Sequence, residues 1–198
     1  MASATPAAGC STHGERSAAA PRAPEAPVVV TGRASYPFRM STRSPEDLYE
    51  HDFFAWTQLQ ARELRRFARA RPNLPLDLEH LAEEIADLGK EQRNALRSWT
   101  VRIIEHLLLL EHSPAEAPRR GWIDEIVGFR DEIEARLTPT LRRDLARQLP
   151  RLYERARRRL ARKLELHGEA DDLSPLPERS PYTLEQVLGD WWPDLEEA

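Results

Sequence analysis

Cysteine is nearly absent: Cys10 is the only one in 198 residues. One thiol excludes an internal disulfide and any cysteine metal cluster, and it fits a reducing cytoplasm. Long apolar runs are missing too. None approaches the roughly 18 residues that a bilayer-spanning helix needs, so no membrane association is expected. The longest early runs are residues 18–20 and 28–30, too short for the core of a secretory signal, and Glu15 and Glu25 argue against a transit peptide. From residue 44 onward there is no strand-like alternation and no internal repeat. Phosphate-binding glycine loops, nucleophile elbows and zinc-ligand spacings do not occur. Lysine is scarce, with Lys90 and Lys163 against 27 arginines, which a GC-rich genome produces without any chemistry. The net charge of −4 gives no bulk attraction for DNA or acidic membranes.

What the chain does have is helical periodicity, strongest over residues 76–112. Leu78, Leu81, Ile85, Leu88, Ala95, Trp99, Ile103, His106 and Leu110 recur at steps of three and four, with Gln92 as the one polar place on the stripe. That is one face of a single helix. Asp77 stands at the N-cap, and Glu79, Glu83 and Glu84 occupy early turns, where the helix dipole favours anions. Such a helix is roughly 50 Å long at 1.5 Å rise per residue, so other helices must pack along it. Ala82, Ala86 and Gly89 form a second, small-residue stripe. A helical glycine costs about 1 kcal/mol against alanine, a cost that close approach of another helix would offset.

Residues 1–43 are rich in Ala, Pro and Ser and are expected to be disordered, because they cannot bury enough apolar area to offset the entropy of ordering. Residues 44–198 are expected to form one helical domain. Ser44-Pro45 starts a helix running to about residue 70, with Tyr49, Phe53, Trp56, Leu64 and Phe67 on its apolar face. Pro72 and Pro75 bracket a short turn, which makes this helix an antiparallel neighbour of the long one. A further helix begins near Trp122, with Ile126, Phe129, Ile133 and Leu137 on one face. Thr138-Pro139 restarts a helix that runs to about residue 166 and ends at Gly168, with Pro150 as a possible bend. Thr183 and Gln186 have capping-box spacing for a short helix to about Leu188. Trp191 and Trp192 then supply apolar area that suits a clasp over Leu152, Tyr153 and Leu160. The fold class is therefore all-α: a bundle of four to five helices with a long central helix, a C-terminal clasp and a disordered N-terminal tail.

These residues also carry a family resemblance. Tyr49, Asp52-Phe53 and Trp56, then Leu76-Asp77-Leu78, Leu81-Ala82-Glu83-Glu84-Ile85 and Leu88-Gly89, resemble the bacterial family called domain of unknown function 29. The likeness continues through His106-Leu107-Leu108, Pro114 and Trp122 to a closing Pro181-Tyr182-Thr183-Leu184-Glu185-Gln186-Val187-Leu188, and covers about residues 46–193. It implies a small, mainly helical bacterial protein and carries no activity, cofactor or catalytic residue with it. One departure stands out. After the His-Leu-Leu step the family has a lysine and aromatics, whereas this chain has Leu109, Leu110 and Glu111.

Four groups of residues are candidates for chemistry. His80 and Glu84, four apart and flanked by Glu83, have the spacing of a metal or proton-sharing pair. A metal site needs three or four supported ligands, and a di-iron bundle needs two Glu-x-x-His motifs; neither is present. A solvated acidic face explains the pair without metal. His106 sits on the apolar stripe, where a hydrogen-bonded core histidine is the ordinary explanation and a pH-sensing role the alternative. Asp52 is placed to serve a buried polar group. Arg151, Arg155, Arg158 and Arg162 form a basic stripe that could meet phosphates, but acidic segments elsewhere in the chain can neutralise it, and no nucleic-acid reading motif accompanies it. The expectation is a cytoplasmic helical interaction or scaffold protein. It is expected to have no catalytic residue, metal or cofactor, to bind itself or another protein, and not to bind nucleic acid. The alternatives are an enzyme or metal-binding bundle using the central helix, or weak nucleic-acid association through residues 139–166.

Overall fold

The computed structural model describes residues 44–70, 75–168 and 174–193. The tail expected to be disordered, residues 1–43, lies outside them. Six helices follow in order: α1 (Pro45–His51), α2 (Phe53–Ala70), α3 (Leu78–His112), α4 (Arg119–Glu134), α5 (Pro139–His167) and α6 (Leu184–Leu188). No strand occurs among the described residues.

Local chemistry sets most of the helix ends. Ser44 and Asp47 form a reciprocal capping box with Pro45 in the first turn. Thr138 and Thr183 accept from the backbone N–H three residues on, and Gly168 closes α5 with φ of 73°. The helix expected to run unbroken from Ser44 is divided at Asp52, whose backbone leaves the helical region (φ −152°, ψ 67°). The Asp52 side chain compensates for the break. Oδ1 accepts from Ala55 N at 3.2 Å, and Oδ2 accepts from Thr140 N at 3.0 Å in the first turn of α5. Asp52 thus ties the start of α2 to the start of α5, filling the role of partner to a buried polar group. Pro150 lies inside α5 without ending it.

α3 has two halves with different surroundings. From Leu96 onward it is enclosed, and Leu96, Ile103, Ile104, Leu107 and Leu108 lose all solvent contact. Full burial of each such side chain contributes about 1.5–3 kcal/mol, so this half holds the core. α4 runs antiparallel on one side: Gln92 Nε2 donates to Arg136 O at 3.0 Å, and His106 meets Glu125. α5 runs parallel on another side, through Arg97–Asp144 near its start and Glu105–Arg159 further along.

Before Gln92, the main neighbour of α3 among the described residues is α2. The buried seam there is made of small residues: Thr57 and Ala61 on α2, Ala82, Ala86 and Gly89 on α3. The close approach read from Gly89 is present, since a Cβ at that position would lie 2.2 Å from Thr57 Oγ1. The large residues expected to be buried are not. Leu81 is 45% exposed, Leu88 51% and Phe67 47%, and Tyr49 is also exposed. Two helices cannot bury both stripes of α3, and the closer contact goes to the smaller side chains. The result is a two-helix arm projecting from a well-packed body.

Candidate functional site

The buried ionisable groups are gathered in the body, and nearly all are paired. Glu105 is 1% exposed, although it stands alone among apolar residues of α3. Its carboxylate receives Arg159 Nε and Lys163 Nζ, each at 3.1 Å, from α5, with Arg102 at 3.8 Å. Asp144, buried near the start of α5, accepts both Nε and Nη2 of Arg97 at 2.9 Å. Such fork-to-carboxylate pairing fixes geometry as well as charge.

His106 is buried with its ring stacked on Phe129. Nε2 lies 2.7 Å from Glu125 Oε2, a close polar contact out of line with the ring N–H, while Nδ1 has no partner among the described residues. Burial holds the imidazole below its ordinary pKa, with Glu125 pulling the other way. Glu125 is half-exposed, whereas the His106 ring is almost wholly covered.

The C-terminal strap, residues 174–193, is held by tyrosines of the expected clasp and by Arg130 and Glu111, whose part in it sequence reasoning passed over. Arg130 of α4 donates through Nε to Val187 O (3.1 Å) and through Nη2 to Gln186 O (3.0 Å) and Trp191 O (2.8 Å). Its guanidinium also covers the Trp192 ring at 4.7 Å. Tyr182 packs edge-on to Tyr153 and donates a short hydrogen bond to Glu111, while Tyr153 OH donates to Pro177 O at 2.7 Å. Burial, then the Glu111 bond, pushes the Tyr182 phenol far above its usual range, so it remains a donor. The clasp is therefore real, but its seat differs from expectation. Tyr182, not an indole, meets Tyr153, and Trp192 lies under Arg130. Of the acids expected to face arginines, Glu185 pairs with Arg142 at 3.2 Å and Asp194 lies outside the described residues. The signal for Arg130 was its place beside Ile126 and Ile133 on the apolar side of α4. For Glu105 it was an isolated carboxylate in a run of seven apolar or aromatic neighbours, residues 103–110.

The other sequence candidates fall elsewhere. His80, Glu83 and Glu84 are exposed on the arm, and His80 is held by Asp77, whose hydrogen bond raises its pKa. His106 is about 33 Å further along the same helix by its rise, so it shares no cavity with them. No group of three or more His, Cys, Asp or Glu side chains converges on a point among the described residues. Arg151, Arg155, Arg158 and Arg162 are all exposed, and Arg158 pairs with Glu154 at 2.7 Å. Among the described residues of the strap the acidic contact is that of Glu185 with Arg142, near the start of α5, and the four stripe arginines stay exposed. A cleft of about 570 Å³ lies between α4, α5 and the strap, lined by Arg130, Arg142, Glu185 and Asp190 among others, and its cations are already engaged.

A helical body that pairs most of its buried charges internally, closed by a strap and extended by a two-helix arm, defines an all-α architecture. The chain belongs to the family described as domain of unknown function DUF29, whose model matches residues 48–192. It is also similar to the crystal structure of an alpha-helical protein of unknown function from Rhodospirillum rubrum, with 27% identity, a TM-score of 0.61, and coverage of 75% of this chain and 91% of that one. No curated protein matches the chain. No helix among the described residues is long and apolar enough to cross a membrane.

Proposed function

We propose that this chain is a non-catalytic bacterial interaction protein that docks a protein partner through the α2–α3 arm. One observation carries the reading. The apolar stripe of α3 is continuous in sequence, and α4 lies along its second half, yet α4 ends at Glu134 and Arg136, just past it, lies beside Gln92 and Trp99. Beyond that point Leu81 and Leu88 continue the stripe uncovered. A monomer gains nothing from a row of half-exposed leucines, whereas a docking surface needs one. A cytoplasmic location goes with this reading, supported by the single cysteine.

A photo-cross-linking residue placed at Leu81, compared with one at the exposed Arg151, tests it in living cells. The expected result is a defined adduct from position 81 and none from position 151. Absence of any adduct at 81 overturns the docking role.

A further inference from the structure

The exposed leucines of α3 belong to a row whose later members already hold a helix. Gln92, Trp99 and His106 recur at steps of seven, and each meets α4 or the turn after it: Arg136 for the first two, Glu125 and Phe129 for the third. Steps of seven stay on one face of a helix, drifting only about 20° each. Carried back one step, the row reaches Ile85, with Leu81 and Leu88 four residues before it and three after it. One seam therefore runs along α3, occupied by α4 over the body and open over the arm. At about 100° per residue, the order round α3 away from α2 is the small-residue seam, Ile85, the two leucines, then Glu84 and Glu91 about 60° further on.

Those two glutamates are exposed and stand in no ion pair among the described residues; the pairs of this half of α3 are Asp77 with His80 and Asp87 with Lys90. Glu84 acts on His80 only as a neighbouring charge. On the other side of the open seam, Leu64 of α2 packs against the alanines as Ile85 does. Arg62 and Arg69 lie about 100° and 80° round α2 from Ala61 in one sense, and Leu64 about 60° in the other, so these arginines turn away from the seam.

Resting on the docking reading above, we infer that the open seam receives a basic amphipathic helix of a partner protein, laid in line with α4. Its apolar residues, at steps of three and four, cover Leu81, Ile85 and Leu88, and its lysines or arginines on the outer flank reach Glu84 and Glu91. From Leu81 to Gln92 the seam is roughly 16 Å long, so a helix of about 12 residues fills it. Charge selects the kind of helix. The outer flank is acidic and has no cation of its own, so an acidic helix would set like charges side by side along the whole contact.

Fluorescence anisotropy of two synthetic helical peptides titrated with the full chain tests this. Each has about 20 residues with leucines at steps of three and four, one with lysines on its flanks and the other with glutamates. The lysine peptide should bind and the glutamate peptide should not. Leu81→Glu combined with Leu88→Glu should weaken the lysine peptide by about tenfold or more, and so should Glu84→Lys combined with Glu91→Lys, which should also admit the glutamate peptide. All four side chains are exposed, so circular dichroism should report unchanged helix content in both variants. No binding of the lysine peptide, equal binding of the two peptides, or binding indifferent to either pair of substitutions overturns the inference. In cells, the adduct from position 81 should be lost in the Glu84→Lys, Glu91→Lys chain. An adduct that survives that change, or one that joins two copies of this chain, overturns the basic helix while the docking role stands. If position 81 gives no adduct at all, both fail.

Discussion

His106 shows what burial does to one ionisable side chain. Its imidazole has an unpartnered Nδ1, and desolvation keeps its folded pKa below the ordinary 6.5. Protons therefore bind the unfolded chain more readily than the folded one. The stability this neutral imidazole supports is fully present above about pH 6.5 and is lost as pH falls through the folded value. His106→Ala should destabilise the protein by roughly 1–3 kcal/mol at neutral pH, through lost packing against Phe129. It should also remove a component of acid sensitivity below pH 6.5. Urea melts at pH 7.5 and 5.5 check both, and an equal loss at the two pH values would show that folding does not lower the pKa of the ring. Arg130 works in the opposite way, since its charge is satisfied by three backbone carbonyls and an indole.

At the scale of the element, the strap depends on that arginine. Arg130→Ala leaves three carbonyls without their donor and should cost roughly 2–4 kcal/mol, at about 1–2 kcal/mol per charged hydrogen bond with partial rescue by water. Truncation before Pro181 removes Tyr182, Val187 and Trp191 from the core and should lower the melting temperature further while exposing apolar surface. Thermal melts with a hydrophobic dye check both; a truncated chain that melts with the wild type would show that the strap only rests on the body. DNA affinity should not rise on truncation, because the arginine stripe is already uncovered. The helices themselves were legible in the sequence, since Ser44, Thr138, Thr183 and Gly168 act on their own turns. The break at Asp52 was not, because Phe53 and Trp56 continue the apolar spacing across it. The strap's anchor was hidden for another reason: Arg130 finds its carbonyls 56 to 61 residues away, and no local pattern encodes them. For α3, both stripes were visible, but which one faces α2 depends on Thr57 and Ala61, small residues on another helix.

For the whole molecule, the distribution of buried area matters more than its total. The larger core holds the second half of α3 with α4, α5 and the strap, and the smaller one is Ala61, Ala82 and Ala86 with two flanking residues. The candidate site was legible in sequence as residues and illegible as a place. Leu81 and Leu88 stood in the apolar row, but only the point at which α4 ends makes them available.

One helix passing through both regions has a consequence for how amide hydrogens exchange. α3 is a single hydrogen-bonded rod from Leu78 to His112, yet its two ends are guarded by very different amounts of packing. Amides of residues 100–108 should exchange only when the whole body opens, and those of residues 81–90 through separations of α2 from α3 that leave the body intact. Protection factors read along this one helix should therefore fall as a step near Gln92, not as a gradual fraying from the end. Any occupant of the arm should raise the lower level and leave the upper one where it was.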